Sequence, residues 1–256
     1  MSGKFYIALI LILSLFISAA PASASVLDRK VVTVGTEGTW PPYEYYDENN
    51  VLTGFDIELV AAIGGRIGRE VKVVDMAFDG LIPALLTGKI DMIAAGMHST
   101  AERKQMVDFS DVYSIADSAF IVLSGNTDIN ALADLDGKIV AVQLGTTEDF
   151  YMEKLTGVST SIKKYQKTVD AIRDLILKRV DTVLIGTVVA KSYVESDRFP
   201  GALKIAFREE VDKPDEGFAL ALRKNDPQFL NAVNAAIREL DESGVLSELK
   251  KKYGLD

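Results

Sequence analysis

Ser99-Thr100-Ala101-Glu102-Arg103 places two hydroxyl residues just ahead of an arginine. Ser99 or Thr100 can cap a helix and leave backbone N–H groups free at its start. A helix N-terminus beside an arginine fork suits a planar carboxylate, because the dipole and the paired donors both favour an anion. Gly145-Thr146-Thr147 makes a similar offer through its backbone. Taken alone, each motif is equally an ordinary helix cap. Chemistry beyond capture is poorly supplied. His98 is the only histidine, and the chain has no cysteine. No Gly-x-Ser-x-Gly elbow, Gly-x-Gly-x-x-Gly turn or phosphate loop occurs, and no carboxylate and histidine cluster has metal spacing. The expectation is no cofactor, no metal and no catalysis.

The elements around these loops alternate. The β-branched run Val31 to Val34 reads as a strand, and Gly35 to Pro42 as a loop. Asp56 reads as an N-cap for a helix whose inner face is Leu59, Val60, Ile63 and Ile67, with Gly68 as its stop. Val71 to Asp75 and Met92 to Ala95 read as strands, separated by a helix that carries Pro83 near its start. The second half repeats the pattern, with strands at Ile139 to Val142 and Val180 to Ile185. Its helices begin near Glu148 and cover Val169 to Leu177. Alternation of this kind means a mostly parallel sheet covered by helices. Ile82, Leu85, Leu86, Ile90, Asp91 and Gly96 recur at a fixed offset as Ile172, Leu175, Ile176, Val180, Asp181 and Gly186, which suggests two similar lobes. Phe218 to Leu222 reads as a strand, Pro227 opens a helix, and a short helix over Val245 to Tyr253 closes the chain.

At 256 residues, with 48% hydrophobic and 25% charged residues, the chain can bury a proper core. The net charge of -9 argues against a nucleic-acid partner, which would call for a basic face. Lys4, the apolar run Phe5 to Ile17 and the small residues Ala22-Ser23-Ala24 have the form of a cleaved export signal over residues 1–24. The run is shorter than the about 20 apolar residues that span a bilayer.

Several segments then match one family in order and at its spacing. They are Val34-Gly35-Thr36-Glu37-Gly38-Thr39-Trp40-Pro41-Pro42-Tyr43 with Gly54-Phe55-Asp56, Phe78-Asp79-Gly80-Leu81-Ile82-Pro83-Ala84-Leu85, Ala101-Glu102-Arg103 with Val107-Asp108-Phe109-Ser110, and Val142-Gln143-Leu144-Gly145-Thr146-Thr147. Over essentially all of the mature length the chain resembles the extracellular (periplasmic) solute-binding proteins of family 3, which feed polar amino acids to ABC transporters. The resemblance implies an α/β fold of two lobes joined by two hinge strands, with residues 25–116 and 216–256 in lobe 1 and 117–215 in lobe 2. It also implies an exported monomer that hands its ligand to a cognate ABC permease. Position by position, Arg103 would pair with the ligand α-carboxylate, helped by the backbone at Gly96 and Thr147. Trp40 and Phe78 would sandwich the ligand side chain, which Glu37 would meet at its distal end, suiting a basic amino acid. Ala95, His98, Gln143, Thr146, Glu148 and Gly186 complete the expected pocket.

One position departs from the family. Where an aspartate usually grips the α-ammonium, this chain has Gly186. A buried charge left unpaired costs roughly 2–5 kcal/mol. Either another acid substitutes, with Glu148 and Glu216 as candidates, or water bridges, or the ligand is not a free α-amino acid. Two other functions fit the same scaffold: an enzyme like the cyclohexadienyl (prephenate or arogenate) dehydratases, and the ligand-binding domain of a sensor.

Overall fold

The computed structural model describes residues 24–115, 117–210 and 217–255. Residues 1–23 of the expected export signal lie outside these residues, as do Ala116 and residues 211–216, where the hinge crossings were expected.

After a 3-10 turn at Val26–Asp28 comes β1 (Val31–Thr36), followed by an antiparallel ribbon of β2 (Thr39–Trp40), β3 (Glu44–Tyr46) and β4 (Leu52–Thr53). Helix α1 (Phe55–Ile67), β5 (Glu70–Asp75), a 3-10 turn at Phe78–Gly80, α2 (Leu81–Leu86), β6 (Met92–Ile93), α3 (Ala101–Met106) and β7 (Asp108–Phe109) come next. The middle of the chain supplies β8 (Ser118–Leu123), β9 (Ile139–Gln143), α4 (Thr147–Lys154), β10 (Ser161–Tyr165), α5 (Thr168–Ile176), β11 (Thr182–Gly186), α6 (Thr187–Val194) and β12 (Leu203–Glu209). It ends with β13 (Ala221–Leu222), α7 (Pro227–Glu242) and α8 (Val245–Lys252).

Two five-stranded sheets result, ordered β5-β1-β6-β13-β7 and β10-β9-β11-β8-β12. Their pairing senses agree strand for strand. The first three strands of each are parallel, and the last two run antiparallel to their neighbours. The internal echo is therefore structural: α2 and β6 in one lobe correspond to α5 and β11 in the other. The closing segment returns to the first sheet through β13, so that lobe is built from both ends of the chain. There α1 buries Leu59, Val60 and Ile63 in one core with Phe229, Val233, Ile237 and Leu240 of α7. Helix α1 stops at Gly68, whose φ of 66° is in the left-handed region that glycine adopts readily.

Phe218 to Leu222, read as a strand, is ladder-paired only over Ala221–Leu222, with isolated bridges at Phe218, and three further local expectations change. Asp56 is not the cap of α1: Gly54 holds that position, and the Asp56 side chain is buried in the first turn. Thr39 and Trp40 form a strand inside the segment read as loop. Met92 to Ala95 is ladder-paired only over Met92–Ile93, although Ala94 still donates to the Gly35 carbonyl.

Candidate functional site

The carboxyl ends of β1, β6, β9 and β11 converge on one cleft, the crevice where open α/β sheets present their loops. The loop after β6 folds as its capping residues dictate. Thr100 is the N-cap of α3 and accepts from the Arg103 N–H, which brings Arg103 back over the end of the strand. Its guanidinium donates from Nη1 to the His98 carbonyl at 2.8 Å and from Nη2 to the Gly145 carbonyl at 3.0 Å. The second bond crosses from one lobe to the other. The ring of Phe78 lies 5.5 Å from the guanidinium carbon, so Phe78 braces Arg103 as a cation–π partner.

The opposite lip is the start of α4. Thr146 caps it, accepting from the Asp149 N–H and donating to the Gln143 carbonyl. Thr147 Oγ1 sits 3.3 Å from His98 Nδ1, a second bridge between lobes, and donates to Glu148 Oε2 at 3.2 Å. Glu148 Oε1 accepts from Ser118 at 3.0 Å. Burial raises the Glu148 carboxyl above the ordinary glutamate range, against the pull of these hydrogen bonds.

Trp40 forms the wall between the lobes. Its indole N–H donates to Gln143 Oε1 at 2.6 Å and to Thr168 Oγ1 at 2.8 Å. The Gln143 amide in turn donates to Glu37 Oε2 at 3.0 Å. Glu37 also accepts from the Thr39 hydroxyl and is buried, which raises its carboxyl above the usual value. Tyr193 closes this side by donating to the Thr39 carbonyl at 2.7 Å. A Cβ built on Gly96 or on Gly186 would meet the Trp40 ring at 3.2 and 3.7 Å. The two echo glycines thus face one indole from opposite lobes.

The structure thus links Arg103, His98, Thr146, Thr147, Glu148, Gln143, Trp40, Glu37, Gly96 and Gly186 through contacts within and between the lobes. Two placements differ in detail. The Gly96 N–H, expected to face an anion, donates to Asp56 Oδ2 at 2.9 Å. Phe78 and Trp40 lie in separate apolar clusters, and Ala95 is buried with Phe78 in the smaller one. A groove of about 800 Å³ opens beside the cradle, lined by Arg103, Thr147, Phe78, Met106 and Phe150 among others.

Below the floor lies a carboxyl cluster that sequence reading did not find. Asp56 accepts from Gly96 and from the Tyr113 hydroxyl, and burial pushes its carboxyl up to about 6. Glu44, wholly buried, is raised well above the ordinary value, first by burial and then by the nearby charge of Asp56. Ser118, Thr168 and Tyr193 were also missed. Each is a single polar residue whose partner is far away in sequence, so no local spacing marks it.

The sequence matches the model of the bacterial extracellular solute-binding proteins, family 3, over residues 32–256. The chain belongs to that family. Among family relatives, the arginine-binding extracellular protein ArtP of Bacillus subtilis is 34% identical over 234 residues, 90% of this chain and 89% of its own length. A solved ancestral arginine-binding protein bound to arginine superposes with a TM-score of 0.83 at 39% identity, covering 88% of this chain and 98% of its own. The ancestral amino acid-binding protein AncCDT-1, described as a precursor of cyclohexadienyl dehydratase, gives 0.80 at 32% identity over 89% of this chain and 97% of its own. Family membership accounts for the two-lobed α/β architecture. Among the described residues no helix is long and apolar enough to cross a membrane.

Proposed function

We propose that the chain is the extracytoplasmic substrate-binding component of an ABC transporter and captures a polar, basic amino acid by closing its cleft. The observation that carries this reading is the Arg103 guanidinium, buried between the lobes and bonded to a carbonyl from each. Arg103 with the start of α4 receives the α-carboxylate, and Trp40 and Phe78 flank the side chain. Glu37 meets a distal guanidinium or ammonium. The arginine named in the descriptions of two relatives supports a basic ligand. Lobe 1 comprises residues 25–116 with 216–256, and lobe 2 residues 117–215. The protein is exported, works as a monomer beside its permease and performs no catalysis.

Closure follows from differential contacts. A ligand bonded to both lobes favours the closed form by the amount it gains there over the open form. Arg103, Thr147, Trp40 and Tyr193 all bond across the cleft in the present arrangement, so a bound ligand adds to a set that is already in place.

Calorimetric titration of the mature protein with L-arginine, L-lysine, L-histidine and L-glutamine tests the reading. Binding at micromolar levels or tighter, with a basic amino acid favoured, is expected. Prephenate serves as the control: its dehydration by the protein would replace the transport reading with an enzymatic one.

A further inference from the structure

Glu44 and Asp56 are two carboxyls buried together, and the capture of a ligand makes no use of them. Glu44 is 1% exposed and Asp56 0%. Their side chains are in hydrogen-bonding contact, and Glu44 Oε2 and Asp56 Oδ1 find no other donor. Two carboxyls bond to each other only when one of them carries a proton. The groups whose charge acts on the pair are Glu37 at the end of β1, Tyr43 between β2 and β3, and Tyr113. None of these is a cation. On the other packed positions, Glu58 of α1 is engaged by Lys252 and Tyr253, and His98, on the loop of Gly96, packs on the Phe218 ring. Burial is the largest influence on both carboxyls and favours their neutral forms. The two therefore titrate as one unit, and each proton lost leaves a charge that burial penalises.

The pair joins three parts that matter for closure. In the ribbon, Glu44 is the register partner of Trp40, the wall of the cleft. Asp56 Oδ2 accepts from the Gly96 N–H at 2.9 Å. A Cβ built on Gly96 would stand 3.2 Å from the Trp40 ring and 3.9 Å from Glu44 Oε1, so that glycine separates the pair from the cleft. The same Asp56 oxygen accepts from the Tyr113 hydroxyl at 2.8 Å. Tyr113 lies on the segment that leads from β7 in the first sheet to β8 in the second. Its N–H donates to the Phe218 carbonyl, and the Phe218 N–H donates to the Ser114 carbonyl. Phe218 stands just before β13, where the chain re-enters the first sheet. The outgoing and returning segments are thus stitched together beside the two carboxyls. Charge on the pair acts at once on the cleft wall, on the Gly96 loop and on the foot of the crossing between lobes.

We infer that the Glu44–Asp56 pair is a proton-binding site coupled to the cleft: protonated, it holds Trp40, Gly96 and the crossing segment in the closed arrangement, and losing protons at higher pH weakens ligand binding. The inference rests on the amino-acid reading of the cleft and adds an effector to it, the proton. Coupling between two sites is reciprocal, so a ligand that favours the closed form also draws a proton onto the pair.

The test is calorimetry of the mature protein between pH 5 and pH 8, with L-glutamine and, where only it binds, L-arginine. L-glutamine has no side-chain charge for Glu37 to meet, so its slope with pH is free of that attraction. Native affinity should fall about tenfold over this range, the change for a one-unit difference in the pair's pKa between the open and closed forms. Titrations in buffers of different ionisation enthalpy should show net proton uptake on binding. Glu44→Gln, which still donates to Asp56 but cannot lose that hydrogen, should reduce the fall to within about threefold and diminish the uptake. A native affinity that does not fall with pH overturns the inference. So does an undiminished fall in Glu44→Gln, which would assign the titration to another group such as His98. Should that variant fail to fold, Tyr113→Phe, which detaches the pair from the crossing segment, reads the same slope, and an undiminished slope there overturns it equally. A native protein that binds neither amino acid at any pH overturns the amino-acid reading, and this inference with it.

Discussion

Replacing Gln143 with leucine removes the centre of the contact between the lobes while nearly conserving volume. Two bonds that cross the cleft are lost: the one from Trp40 at 2.6 Å and the one to Glu37 at 3.0 Å. A buried neutral hydrogen bond contributes about 1 kcal/mol net, and one to a charged group about 1.5–3 kcal/mol. Trp40 keeps Thr168 and Glu37 keeps Thr39, so part of the loss is recovered. The closed form should therefore lose about 2–4 kcal/mol relative to the open form. Ligand affinity scales with the population of the binding-competent form, so this becomes a weakening of about 30- to 700-fold. Calorimetry with L-arginine measures it, and small-angle scattering of the free protein should report a larger radius of gyration for the variant. A folded Gln143→Leu protein that binds within threefold of the native one would refute the view that this network sets the closing equilibrium.

Other expectations follow from the same geometry. Arg103→Lys keeps the charge but cannot reach the His98 carbonyl, the Gly145 carbonyl and a carboxylate together, and should weaken binding by about 10- to 150-fold on losing one charge-assisted bond. Gly96→Ala puts a side chain at a φ of 49° and 3.2 Å from Trp40; it should cost about 1 kcal/mol or more in urea unfolding and also weaken binding. Asp56 has its folded carboxyl raised from 3.8 to about 6, so the folded state holds the proton more tightly than the unfolded chain. That contribution to stability is fully present below the ordinary aspartate range and is lost as pH rises through about 6, amounting to about 3 kcal/mol. Urea unfolding should therefore show a more stable protein at pH 5 than at pH 8. Glu44→Gln, which can donate to Asp56 without a titrating proton, should flatten that dependence; stability that climbs with pH in the native protein would contradict the assignment.

What the sequence revealed was local or periodic. Thr100 and Thr146 cap their helices because a hydroxyl followed by acidic residues in the first turn is a local signal. The offset echo anticipated the matching sheet orders because each repeat must bury the same helix face on the same strand. Arg103 and Thr147 were legible through those caps. Asp56 was misread because an aspartate ahead of an apolar helix usually caps it, whereas here the N–H of Gly96 and the hydroxyl of Tyr113 claim the carboxylate from across the lobe. The bonds of Trp40 to Gln143 and Thr168 span 103 and 128 residues, and no spacing rule reaches so far. The sequence named Glu148 as a candidate acid, but its partner Ser118, which the strand register sets opposite Gly186, lies 30 residues away and no local spacing marks it.

The most direct test of the central claim uses Trp40, the single tryptophan of the chain and part of the cleft wall. The mature protein is unfolded and refolded to free it of carried ligand, then titrated with L-arginine, L-lysine, L-histidine and L-glutamine while indole fluorescence is followed. A saturable change at micromolar concentrations with at least one of them is predicted, with a basic amino acid the strongest. A folded protein whose fluorescence and calorimetric heat stay unchanged with all four would contradict the account.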